Sequence, residues 1–209
     1  MKENEIDCVV REVVSAVKRT ADAGLPYHSH RPYHFLSLLG MNLRIEYAEE
    51  NQGDVGIGVT AKWLQNDIPG LDVEAEFVFD LHVFEYCRLQ DPLTGRPVCH
   101  VTGSIIQLET DFRKDSLRSA MTKLNKLMIG NADLKIFMIS RQEDEKTMSV
   151  WKEFCKGAAL NAGCSFLLFI LPDLSGWGPA TMPDDEIEIY TLRTDPDSYG
   201  LIPYVQTKE

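Results

Sequence analysis

Asp80, Gln107, Glu109 and Asp111 are the residues of this sequence whose types and spacing best suit shared chemistry. They sit in two segments, FVFDLHV (77–83) and IIQLETD (105–111), that alternate apolar and polar residues with the period of a half-buried strand. Carboxylates presented by adjacent strands can hold a divalent metal ion, and a metal held in that way can activate a bound water. The bland reading is the solvated face of an amphipathic hairpin, the usual fate of alternating polar residues. His82 lies beside Asp80 on the same expected face, as a modulator of such a site or as an ordinary hydrogen-bonding neighbour.

Other groups carry weaker signals. His28, His30 and His34 form H-x-H-x3-H, a spacing that can chelate zinc, but no cysteine or acid is near in sequence and a loop with exposed imidazoles is the better reading. Cys87 and Cys99 flank a turn with His100 beside the second, and packed thiols are favoured over a redox pair or metal clip. Cys155 and Cys164 read as core. The glycines of GDVGIG (53–58) lack the Lys-Ser/Thr of a phosphate loop and are expected to serve a turn.

The elements that must position these residues can be read from periodicity. Ile6 to Thr20 is expected to be helical, with Ile6, Val9, Val10, Val13, Val14 and Val17 on one face. The segment GLPYHSHRP (24–32) reads as a loop, Tyr33 to Leu39 as a short helix ending at Gly40, and Asn42 to Ala48 as a strand. Residues 49–70 are the least legible, with a short element expected at Val55–Leu64. Leu71 to Asp111 reads as a long hairpin turning at DPLTGRP (91–97). Centring the turn between Leu93 and Thr94 sets Cys99 opposite Arg88 and Asp80 opposite Gln107, diagonal to Glu109.

Beyond the hairpin the pattern becomes helix, strand, helix, strand. Leu117, Ala120, Met121, Leu124, Leu127 and Met128 make a helical stripe that stops at Gly130. Leu134 to Ser140 is a strand, and Met148, Trp151, Phe154, Cys155 and Ala158 mark a second helix ending near Gly163. Cys164 to Leu171 is apolar enough to be buried on both faces, next to a parallel neighbour. The tail from Pro172 holds one expected strand, Glu186–Leu192, and then polar loop.

This order, with FVFDLHV and IIQLETD in place, resembles the PD-(D/E)XK nuclease superfamily, the restriction-endonuclease-like fold, over roughly Tyr33 to Leu171. The resemblance implies an α/β domain with a mixed sheet of about five strands around the central hairpin, flanked by helices. In that superfamily an acid on the second strand and another on the third hold a divalent metal, and a lysine two positions later assists the attacking water. Asp80 falls at the first acid, Gln107 at the second and Glu109 at the lysine, so the motif is degenerate. Asp80 and Glu109 are the expected ligands of Mg²⁺ or Mn²⁺, with Gln107 a neutral ligand or an orienter of water. Asp111 could shift the site, Glu46 or Glu49 could add an acid, and Lys123 and Lys126 are the nearest candidates for a relocated lysine.

The whole chain bounds these readings. Its 209 residues suit a single domain 1–209, made of an N-terminal helix and loop (1–32), a nuclease-like core (33–171) and a C-terminal extension (172–209). A net charge of −11 argues against a general nucleic-acid coat but leaves room for a nuclease with a local basic patch. Five cysteines at irregular spacings fit a reducing compartment, so a cytoplasmic location is expected. The longest apolar run, Phe166 to Leu171, is too short to span a bilayer. Two functions remain open: a metal-dependent nuclease acting on DNA or RNA, and a non-catalytic binding or assembly module on the same fold, as a homodimer or larger assembly. A plain α/β interaction protein is a third.

Overall fold

The computed structural model describes residues 3–25, 30–47, 54–62, 79–113, 117–173, 177–178, 187–195 and 198–205. In chain order its elements are α1 (Glu3–Asp22), α2 (His30–Glu46), β1 (Val55–Ala61), β2 (Leu81–Gln90), β3 (Pro97–Asp111), α3 (Leu117–Ile129), β4 (Leu134–Ser140), α4 (Glu145–Leu160), β5 (Ser165–Leu171), β6 (Glu188–Asp195) and β7 (Ser198–Pro203). The strands form one seven-stranded mixed sheet whose spatial order follows the sequence, β1 to β7. β3, β4 and β5 run parallel, and every other adjacent pair is antiparallel. Among the described residues no helix is long and apolar enough to cross a membrane.

Strand alternation divides the core into two layers. Leu81, Val83, Ile106, Leu108, Ile136 and Phe169 face α1 and α2, whose buried stripes include Val10, Val13, Val17, Phe35, Leu39 and Leu43. Phe137, Ile139, Phe166, Leu168 and Ile170 face α3 and α4, meeting Leu124, Leu127, Trp151 and Cys155. β4 and β5 are buried on both faces, as crossover helices on one side and α1–α2 on the other require. Edge-on contacts among Phe35, Phe112 and Trp177, with centroids 6.2–6.5 Å apart, pack the layer beneath α2. The Tyr204 hydroxyl donates to buried Asp7, tying the segment after β7 to α1.

Several expectations need correction. The short helix ending at Gly40 and the strand Asn42–Ala48 are one helix, α2, which runs on to Glu46. Leu36, Leu39 and Leu43 recur at helical spacing and are buried, whereas Ile45, which a strand would have placed beside Leu43, is exposed. A stretch as short as Leu43 to Tyr47 can alternate by chance, so helical continuity from Phe35 decided the outcome. His30 and Pro32 of the expected loop already belong to α2, while residues 26–29 lie outside the described residues. Gly56 and Gly58 are strand residues of β1, not turn residues. The tail adds β7 where polar loop was expected, and the sheet has seven strands among the described residues instead of about five. Leu71 to Val78 of the expected first hairpin strand lie outside the described residues.

The hairpin register is correct near the turn and wrong near the candidate site. Asp91 accepts from Leu93 and Gly95 at the turn, where Gly95 takes a φ of +66° that favours glycine. Arg88 then pairs with Cys99, as expected. Two register shifts follow, between Glu85 and Tyr86 and between Val83 and Phe84, each adding one residue to β3. Their sum is two, so side chains keep their faces while their partners change. His82, not Asp80, pairs with Gln107, and Asp80 falls beside Glu109.

Truncating Phe35 to Ala should remove the hub of the Phe35–Phe112–Trp177 contacts and destabilise the protein by roughly 3–5 kcal/mol. Urea unfolding followed by circular dichroism checks this. A loss below about 1 kcal/mol, the scale of a surface substitution, would contradict the packing described.

Candidate acidic site under helix α3

The polar alternates of β3 are buried, because α3 lies over that end of the strand. Asp80, Gln107, Glu109 and Asp111 are 4%, 4%, 0% and 2% exposed, so the solvated-face reading fails for all four. A buried carboxylate needs a counter-charge or hydrogen-bond donors, and α3 and β3 supply both. Asp80 Oδ2 accepts from Thr110 N and Thr110 Oγ1, each at 2.9 Å, and from Lys123 Nζ at 3.1 Å. Lys62 Nζ stands 3.7 Å from its other oxygen. Burial works to raise the Asp80 pKa, but the Lys123 charge and the Thr110 hydrogen bonds outweigh it and hold Asp80 below its ordinary value.

Glu109 is set differently. Its Oε1 accepts from Asp80 N at 3.2 Å and forms an ion pair with Lys126 Nζ. Desolvation and then the neighbouring Asp80 charge push its pKa up to about 7, against the pull of Lys126 and Lys123. Lys123 Nζ also donates to the Thr110 carbonyl, which anchors it to β3. The sequence contained a signal for these lysines. Lys123 lies in phase with Ala120, Leu124 and Leu127, so it sits half-buried beside that stripe and not on the solvated face expected for a surface helix lysine.

Gln107 lies one step along the same face. Its Nε2 donates to Ser104 Oγ at 3.1 Å, which is also 2.6 Å from His82 Nε2. A Cβ on Gly130 would fall 1.9 Å from Gln107 Oε1, so a larger residue there would have to push the Gln107 amide aside. Three oxygens here, Gln107 Oε1, Glu109 Oε2 and Asp111 Oδ2, have no hydrogen-bond partner among the described residues. Asp111 Oδ1 accepts from Arg113 N at 3.2 Å and from Arg113 Nε at 3.3 Å. Next along the row is Lys135, paired in register with Gln107, 2% exposed and donating to the Met128 carbonyl at 3.2 Å. A lysine inside the apolar run LKIFMIS was the signal that could have found it.

The remaining candidates separate from this site. Glu46 is an exposed residue of α2 that accepts from Cys8 Sγ at 3.1 Å, and Glu49 lies outside the described residues. His34 Nδ1 is 3.4 Å from Thr20 Oγ1, and His28 lies outside the described residues. Among the described residues no group of three or more His, Cys, Asp or Glu is arranged to hold a metal ion. Cys99 and Cys155 are buried thiols, while Cys164, expected in the core, is only half-buried because it precedes β5 at the rim of the sheet. Phe154, expected on the apolar stripe of α4, is 42% exposed, and Ala159 packs in its place. No protein-family model matches this chain, and no curated protein matches it.

Two outcomes test this arrangement. Glu109 has a folded pKa near 7, above its ordinary 4.5, so its contribution to stability is full below that ordinary value and is lost as pH rises toward 7. His82 is the opposite case: desolvation lowers its pKa from 6.5 to about 4, so its contribution is full above 6.5 and lost as pH falls toward 4. The two oppose each other over the same window. Glu109→Gln should therefore make stability rise more steeply with pH than in the wild type, and His82→Gln should make it fall, in urea titrations across that window. Identical slopes in all three proteins would contradict the assignment. Separately, Gly130→Ala should cost about 1–3 kcal/mol by overpacking. Adding Gln107→Ala should recover part of that loss, giving a favourable coupling of about 1 kcal/mol in a double-mutant cycle.

Proposed function

We propose that this chain is a restriction-endonuclease-like hydrolase that cleaves phosphodiester bonds of DNA or RNA with a divalent cation, Mg²⁺ or Mn²⁺, held by Asp80 and Glu109. The observation that carries the reading is the convergence of two carboxylates and two lysines at one buried point between β2, β3 and α3. The element order supports it too: β1, the β2–β3 hairpin, α3, β4, α4 and β5 follow one another as the resemblance requires.

The donor set suits the cation. Magnesium takes hard oxygen ligands, commonly one or two carboxylates with water completing the shell. Glu109 Oε2 and Gln107 Oε1 are buried acceptors without a donor among the described residues, and a cation would satisfy such groups. The bound ion would act as a Lewis acid toward the phosphoryl group and lower the pKa of its water. The observed register also revises the roles. On this reading Glu109, beside Asp80, would serve as the third-strand acid, Asp111 would take the lysine position two residues on, and Lys123 would bring an ammonium from α3 instead. Asp80, held ionised by Lys123 and Thr110, keeps its ligand charge at neutral pH. Lys123, anchored on the Thr110 carbonyl, would offset charge that develops on the phosphate. Gln107 would orient water through its free oxygen.

A second reading, a non-catalytic binding or assembly module, is favoured by one specific observation. Lys123 and Lys126 already neutralise both acids, and Gln107 adds no charge. Incubation of single- and double-stranded DNA and RNA with Mg²⁺ or Mn²⁺ separates the two. Hydrolysis should require the metal and should fall by roughly 10²-fold or more in Asp80→Ala. Cleavage unchanged by that substitution would remove this site, and a folded wild type inert on every substrate would leave the binding module.

A further inference from the structure

The two lysines on the acid pair are held in unlike ways. Lys123 Nζ has two anchors on the sheet, Asp80 Oδ2 at 3.1 Å and the Thr110 carbonyl. Lys126 Nζ meets the Glu109 carboxylate and, 5.2 Å away, the face of Phe79. Its side chain is 29% exposed above a Glu109 that is fully buried, so the ammonium stands on the way from solvent to the carboxylate. Even with Asp80 and Glu109 both ionised, Lys123 and Lys126 already balance their two negative charges, and Lys62 also stands 3.7 Å from Asp80. No negative charge is left over, and a divalent cation entering the group would leave an uncompensated excess in a buried space. One ammonium must leave first. Lys126 is the one whose anchors permit it, since it is not held by a backbone carbonyl as Lys123 is and the Phe79 ring offers a second cation seat.

We propose that Lys126 is a displaceable plug on the acid pair, closing Glu109 to a divalent cation until a phosphate of the nucleic-acid backbone draws its ammonium away. Cation and phosphate then load together. The phosphate replaces Glu109 as partner of Lys126, the cation replaces Lys126 as partner of Glu109, and the positive excess left in the buried space falls from two charges to one. This rests on the cation-binding reading of Asp80 and Glu109 and adds its regulation. It also gives the two lysines separate work: Lys123 is resident, and Lys126 exchanges.

Mn²⁺ binding measured by calorimetry, with free Mn²⁺ counted by electron paramagnetic resonance, tests the plug without reference to turnover. The probe is a nuclease-resistant phosphorothioate oligothymidylate. Wild type should bind Mn²⁺ weakly alone and about ten-fold or more tightly with the oligonucleotide. Lys126→Met should bind Mn²⁺ that tightly without the oligonucleotide and show no further gain, while Lys126→Arg should keep the weak state. Asp80→Ala should remove the site in either background. Tight binding by wild type alone, unchanged in Lys126→Met, would overturn the plug and leave the cation site standing. No Mn²⁺ bound by wild type with the oligonucleotide, or by folded Lys126→Met, would overturn both. Should Lys126→Met fail to fold, the wild-type pair with and without oligonucleotide still decides.

Discussion

Neutralisation of the Asp80–Glu109 pair by α3 is the interaction on which the middle of this protein depends. Two carboxylates on neighbouring strands repel each other, and neither can stay buried and charged without a cation or several donors. Lys123 and Lys126, three residues apart on one helix face, supply the cations, while Thr110 gives Asp80 two further bonds. The same contacts dock α3 on β3 beside the apolar contact of Leu124 and Leu127 with Phe137. A helix seated only by leucines could slide along the sheet. One seated by two ion pairs of fixed spacing has a single register, which in turn sets Gly130 over the Gln107 amide.

The asymmetry within the pair follows from its surroundings. Asp80 has donors on one oxygen from backbone, hydroxyl and ammonium, and so keeps its charge. Glu109 is more deeply enclosed and bears the repulsion, so it is the carboxyl that holds a proton near neutrality. Two chemically similar side chains thus differ in readiness to ionise because one faces Thr110 and the other faces the underside of a helix. Such separation is common where acids do chemistry and also occurs in structural ion networks.

Much of this was legible in the sequence, and the failures have physical reasons. α1 could be read because six apolar residues repeat at helical spacing against a charged background. α3, β4, α4 and β5 could be read because each is bounded by a change of period or a glycine. α2 was cut short because Leu43, Ile45 and Tyr47 satisfy alternation, while Leu43 and Tyr47 alone also continue the helical stripe that packs in the same layer as α1. Asp80, Gln107 and Glu109 could be singled out by type and phase, but not their burial, since that depends on where α3 lands. Their partners were misassigned because a β-bulge leaves no distinctive residue type behind.

The paired bulges of β3 bear on how such a chain can change over evolutionary time. Thr102 and Ile105 are the residues left without a partner on β2, and together they let a hairpin of one length serve two different registers. Loss of either residue alone would turn Gln107, Glu109 and Asp111 toward α1 and α2, into a layer built of valines and leucines, and send Ile106 and Leu108 toward the lysines. Loss of both would keep every facing and merely slide Glu109 away from Asp80. Insertions and deletions in this strand should therefore survive in twos, so its length is quantised by an acid pair that neither bulge touches.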